Sequence, residues 1–153
     1  MIERFDIDDI KEILPHRPPM LLIEEAYIDE EGVSHAKYQI KEDEFFTQGH
    51  FPGNPVVPGV ILCEIMAQSC SLLVREHIKG HLALYAGLDK VRFKNQVKPG
   101  DICEIKASLK DSREVSPTSR LFFCNAQLSV DGKLCCKGEL TFALVPLPEA
   151  DDK

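Results

Sequence analysis

Gln48-Gly49-His50-Phe51-Pro52-Gly53-Asn54-Pro55-Val56-Val57-Pro58-Gly59-Val60-Ile61-Leu62-Cys63-Glu64-Ile65-Met66-Ala67-Gln68 joins a stiff loop directly to an apolar run. Gly or Pro fills six of the eleven positions from 49 to 59, which holds that backbone in a defined non-helical shape. Pro58 suits a first helical turn, and Lys79-Gly80 supplies a basic last turn and a stop. The spacing predicts a helix of about 22 residues, roughly 33 Å long. Val60, Ile61, Leu62, Ile65, Met66, Leu72, Leu73 and Val74 spread around most of its circumference, so it expects burial on most sides.

Before this helix, Asp6 or Asp8 can cap a short helix with the apolar stripe Ile7, Ile10, Ile13 and Leu14, stopped by Pro15. An extended apolar segment, Met20-Leu21-Leu22-Ile23, follows, and residues 33–40 alternate as a strand around the turn Asp29-Glu30-Glu31-Gly32. After it, strand patterns run near residues 82–94, 101–112, 120–130 and 133–145. Lys98-Pro99-Gly100-Asp101, Ser116-Pro117-Thr118-Ser119 and the hairpin signal Asp131-Gly132 break them. One antiparallel sheet with one buried helix reads as an α+β domain, the sheet wrapping the helix. Residues 1–153 form a single domain, with an acidic, frayed tail from about 146. A single helix cannot cover both faces of such a sheet, so a second copy is expected against it.

The net charge of −7 argues against nucleic acid as a partner. No window approaches a membrane span, and Met1-Ile2-Glu3-Arg4 lacks the basic-then-apolar order of a signal peptide, so a cytoplasmic protein is expected. None of the six cysteines forms a Cys-x-x-Cys pair. Cys63, Cys70 and His77 share a helix face at intervals of seven, but about 10.5 Å of rise separates neighbours, too far for one metal. Structural thiols and no metal are expected. Lys90, Arg92, Lys94 and Lys98 gather four of the 18 basic residues into nine positions, either a dock for an acidic partner or a solvated strand edge.

Glu64 sits two turns into the buried helix, with Gln68 one turn on and able to orient its carboxyl. In apolar surroundings its charged form is disfavoured, which suits a general acid. The same spacing also fits an exposed stripe of Glu64, Gln68, Ser71 and Arg75. His50 stands in a constrained loop as a positioned base or as a hydrogen-bonded structural residue. His16, His35, His77 and His81 have no comparable setting and read as ordinary. Gly59 opens the helix, where free N–H groups can meet a developing oxyanion.

Leu14-Pro15-His16-Arg17-Pro18, Gly49-His50-Phe51-Pro52, Pro58-Gly59-Val60-Ile61, Glu64 and Ala67-Gln68 occur in order with Leu88-Asp89-Lys90-Val91-Arg92-Phe93 and Val97-Lys98-Pro99-Gly100-Asp101. Together, from about residue 6 to residue 145, they resemble the (3R)-hydroxyacyl-[acyl-carrier-protein] dehydratases of the FabZ type. The loop Phe45-Phe46-Thr47-Gln48-Gly49-His50 is one residue longer than the family's familiar one, Pro19-Met20 replaces a pair that usually contains an aromatic, and Glu24-Glu25 stands where Asp-Arg is common. The resemblance implies a hot-dog fold and elimination of water from a 3-hydroxyacyl chain on an acyl carrier protein in fatty acid biosynthesis, without a cofactor. It implies His50 and Glu64 as the catalytic pair, each from a different subunit of a homodimer, and commonly a hexamer of three dimers. Around them, Gly59 and Gln68 would bind substrate, Ile61, Ile65 and Met66 would line an acyl tunnel, and Lys90, Arg92, Lys94 and Lys98 would dock the carrier. A hot-dog acyl-CoA thioesterase or hydratase, or a non-catalytic acyl-thioester-binding module, are the competing readings.

Overall fold

The computed structural model of the chain describes residues 2–78 and 80–147. The tail 148–153 and Lys79 of the expected helix stop lie outside the described residues. The strands are β1 (Glu3–Phe5), β2 (Glu25–Ile28), β3 (Ser34–Gln39), β4 (His81–Phe93), β5 (Ile102–Ser116), β6 (Ser119–Val130) and β7 (Lys133–Pro146). They form one seven-stranded sheet in the order β1-β2-β3-β5-β6-β7-β4, every neighbouring pair antiparallel. Period-two alternation turns Cys103, Ile105 and Ala107 of β5, and Cys124, Ala126 and Leu128 of β6, into the core, and their neighbours outward. Asp131 (φ 52°) and Gly132 (φ 77°) make the β6–β7 hairpin, both central residues in the left-handed region that this tight turn requires.

Helix α3 (Gly59–Ser71) packs against β3, β5, β6 and β7 on the inner face. It continues through a 3-10 turn at Leu72–Val74 into α4 (Arg75–Ile78), so the helical path ends where the sequence placed its stop. Ile65, Met66, Cys70 and Leu72 are fully buried. All six cysteines are free and buried, small apolar fillers as expected. Burial pushes the Cys103 thiol up to about 12.

Three short elements escaped the sequence. Helix α1 (Ile7–Ile13) is capped by Asp6, whose carboxylate accepts from Asp9 N–H while Asp9 returns the bond, but the strand β1 just before it carries no periodic signal in three residues. The strand after the apolar segment is Glu25–Ile28; Leu21, Leu22 and Ile23 are buried without pairing in the sheet. Helix α2 (Phe45–Gln48) takes up the residues ahead of the Gly/Pro loop.

At the sheet's edge, β4 bulges between Asp89 and Arg92 and brings Val91 against Gly138 of β7. A Cβ on Gly138 would lie 2.9 Å from Val91 Cγ2 and 3.3 Å from Val91 Cα, so backbone as well as side chain would have to move. The variant Gly138→Ala is therefore expected to lose about 1–3 kcal/mol. Chemical denaturation would show this as a lowered midpoint with an unchanged slope.

Candidate active site

His50 is fixed by the loop's own backbone. Its N–H donates to Thr47 O (3.2 Å), and its carbonyl accepts from Val56 N–H (2.7 Å). Phe51 and Asn54 exchange both backbone bonds across a turn closed by Gly53 at φ 76°. The imidazole Nδ1 lies 3.0 Å from Val56 O. A carbonyl only accepts, so Nδ1 carries the hydrogen and the lone pair of Nε2 is left for chemistry. The ring stacks on Phe51 at 4.1 Å, which limits its rotation.

Glu64 is seated from the other side of the molecule. Gln68, only 1% exposed, uses every hydrogen-bonding position of its amide except one acceptor lone pair. Its Oε1 accepts from Leu22 N–H (2.8 Å), and its Nε2 donates to Met20 O (2.8 Å) and to Glu64 Oε2 (2.9 Å). His16 Nε2 stands 3.4 Å from the same carboxylate oxygen. His16 is thus part of the site and not the ordinary histidine its sequence setting suggested; the Leu14-Pro15-His16-Arg17 motif was the available signal. Glu64 keeps 21% of its side chain exposed. The two readings of the helix stripe merge here. Glu64, Gln68, Ser71 and Arg75 do share a face, but it borders a cleft of about 750 Å³ between α1, α3 and β4, walled by Leu14, Tyr85 and Phe142, and Gln68 and Ser71 are buried.

Tyr85 of β4 closes that cleft by donating its hydroxyl to Cys63 O of α3 (2.7 Å). Burial of that end, reinforced by Glu64, pushes the phenol above its usual range and keeps it a donor, although 43% of the residue stays exposed. Gly59 starts α3, and its N–H donates to no group among the described residues. Ile61 is half-buried, whereas Ile65 and Met66 (both 0% exposed) lie in the core between helix and sheet. His50 is not among the residues that border the Glu64 cleft. Each half of the expected pair is therefore built, but the single chain does not enclose both in one cleft.

The basic cluster lies on the outer face. Lys90, Arg92, Lys94 and Lys98 are exposed, and strand pairing continues the row from Arg92 to Lys137, then through Gln127 to Lys106. Those last two lysines come from other strands and could not be grouped from sequence. A larger dish of about 810 Å³ lies over β1–β3 and β5, but it mixes Arg4, Glu24, Lys37 and Glu104 and touches none of the expected site residues. Among the described residues, no three metal-binding side chains converge and no helix is long and apolar enough to cross a membrane.

The FabA-like domain family matches residues 14–139. The chain is 44% identical over 144 residues to a 3-hydroxyacyl-[acyl-carrier-protein] dehydratase FabZ of Caldicellulosiruptor bescii, covering 92% of this chain and 99% of the relative. It is 45% identical over 143 residues to the protein of the same description from Staphylococcus carnosus, covering 92% and 95%. For the Bacillus velezensis protein so described the identity is 42% over 142 residues, covering 91% and 97%. Among solved structures, the dehydratase heterocomplex ApeI:P of Xenorhabdus doucetiae aligns with a TM-score of 0.69 at 20% identity, covering 92% of this chain and 91% of that one. A mutant thioesterase of Pseudomonas aeruginosa aligns at 0.62 and 16% identity, covering 94% and 96%. At such identities the two structures speak for the fold alone, and that fold is the hot-dog fold.

Replacing Gln68 tests how the acid is held. Gln68→Leu is expected to orphan the buried Leu22 N–H and Met20 carbonyl, at about 1–3 kcal/mol for each group left unpaired. A fall in the midpoint of chemical denaturation of less than about 1 kcal/mol would show that the amide is dispensable to the seat.

Proposed function

The chain belongs to the FabA-like family of FabZ-type 3-hydroxyacyl-[acyl-carrier-protein] dehydratases, and from that membership we propose that it converts (3R)-3-hydroxyacyl-[acyl-carrier-protein] to the trans-2-enoyl thioester in fatty acid biosynthesis. The observation that carries the mechanism is the tie from His50 Nδ1 to Val56 O, which leaves Nε2 as a rigidly aimed base. Nε2 takes the proton α to the thioester carbonyl. The electron pair of that C–H bond forms the new double bond, and the bond from the β-carbon to its hydroxyl breaks. Charge gathering on the thioester oxygen meets the free Gly59 N–H and the positive end of α3. Glu64, protonated, gives its proton to the departing hydroxyl, which leaves as water. The proton on His50 then returns to Glu64 through solvent, and no cofactor takes part.

His50 of one subunit works with Glu64 of its partner, in a homodimer that assembles further as a hexamer. Two observations support this. His50 does not border the Glu64 cleft, and the edge strand β4 exposes Leu84, Tyr85, Leu88 and Phe93, an apolar surface that a second copy would cover. Ile61 leads the acyl chain toward Ile65 and Met66, whose packing sets its depth. The acidic carrier docks on Lys90, Arg92, Lys94 and Lys98, extended by Lys106 and Lys137. The enzyme works in the cytoplasm.

Following the enoyl absorbance with crotonyl-carrier and with crotonyl-CoA tests the reading. Hydration of the carrier substrate is expected; turnover of the CoA ester alone, or free acid as product, would favour a hydratase or thioesterase instead. His50→Ala and Glu64→Gln should each lower the rate by roughly 100- to 10,000-fold with the fold intact. A mixture of the two variants, unfolded and reassembled, should recover about a quarter of wild-type activity through mixed dimers with one complete site. No recovery would place both residues in one subunit's site.

A further inference from the structure

We propose that His16 is a positioning residue for the acid: with Gln68 it holds Glu64 Oε2, leaving Oε1 as the oxygen that carries the transferable proton. The inference rests on the dehydratase reading above and goes beyond the His50–Glu64 pair. Two donors converge on one carboxyl oxygen, Gln68 Nε2 at 2.9 Å and His16 Nε2 at 3.4 Å. An oxygen that accepts two N–H groups is a poor place for a proton, because the hydroxyl hydrogen would point at a donor. The acid's proton is therefore directed to Oε1.

The imidazole is set up for this role. Its Nε2 faces an acceptor and so carries the hydrogen, whereas Nδ1 is buried and has no hydrogen-bond partner. The backbone beneath it is clamped by Arg17. Arg17 Nη1 donates to Leu14 O (2.9 Å) and His16 O (2.6 Å), and Nη2 donates to Lys11 O (3.0 Å) at the end of α1. Met20 N–H bonds back to Arg17 O (2.8 Å), and Met20 and Leu22 then hold Gln68. Both donors to Oε2 are thus mounted on the single segment 14–22. The His16 contact is the longer of the two, so its loss should be felt as a change of rate rather than of folding.

The experiment measures kcat and KM on a 3-hydroxyacyl-carrier for wild type, His16→Phe and His16→Gln, and for His16→Phe combined with Glu64→Gln. Gln offers an amide N–H close to the lost Nε2–H, whereas Phe keeps only the ring. His16→Phe should lower kcat about tenfold with KM nearly unchanged, the effect of one weak hydrogen bond to a charged group. His16→Gln should recover most of that loss. Added to Glu64→Gln, His16→Phe should change the residual rate by less than about twofold, because residues that act as one unit are not additive. A 15N spectrum of histidine-labelled protein should show His16 as the Nε2–H tautomer, with no substrate present. Full activity in His16→Phe, a Gln variant no better than Phe, an undiminished tenfold loss beside Glu64→Gln, or an Nδ1–H tautomer would each overturn the proposal. Failure of the wild type to turn over the carrier substrate would strike the dehydratase reading instead, and the tautomer would still decide whether His16 donates to Glu64.

Discussion

The Gln68 amide, spanning Met20 O, Leu22 N–H and Glu64 Oε2, is the contact on which the rest of this structure turns. It pins an unpaired apolar segment to the central helix at the point where the sheet offers that segment no partner. Leu21, Leu22 and Ile23 are buried without ladder bonds, so their peptide groups need another source of satisfaction. One side chain supplies it and in the same gesture sets the rotamer of the carboxylate one turn away. Folding and site geometry are therefore not separable here: the amide that completes the packing of residues 20–22 is the amide that orients the acid.

This double use explains what the sequence disclosed and what it hid. The long strands, the Asp131-Gly132 turn and the buried helix follow local rules, period two, left-handed turn residues and a broad apolar circumference, and each is readable from neighbours in the chain. Gln68 beside Glu64 is local too, one helical turn apart. His16 is not: forty-eight positions separate it from Glu64, and only the folding of α1 and its Arg17-clamped exit over α3 brings the two within 3.4 Å. The same holds for Lys106 and Lys137, which extend the basic row through sheet register. For Glu64 itself, spacing could not choose between an exposed stripe and a buried one, because a polar stripe facing a cleft has the periodicity of a polar stripe facing water.

The edge strand β4 is where packing within one chain stops. Its bulge at Val91 and the close approach of Gly138 keep it bonded to β7 while its apolar side chains remain uncovered. Phe93 lies directly over Gly59, within 2.8 Å of where a Cβ would stand, so the start of α3 is open to groups arriving across this edge but has no room for a side chain of its own. The glycine is required there by close approach rather than by dihedral freedom. It keeps the unbonded helix-start N–H facing outward from the chain, where a partner copy or a ligand can reach it.

The two halves of the proposed pair are held by opposite means toward the same end. His50 has one nitrogen committed to a backbone carbonyl, and Glu64 has one oxygen committed to side-chain donors. Each commitment removes one of two equivalent-looking atoms from the reaction and leaves a single one exposed. A neutral imidazole fixed at Nδ1 can only accept at Nε2, and a carboxyl fixed at Oε2 offers its proton only from Oε1. An elimination that removes one proton and delivers another within the same encounter needs that asymmetry, since a base and an acid free to rotate could exchange roles or protonate each other. Rigid loop and buried helix thus contribute more than position: they decide which atom of each group reacts.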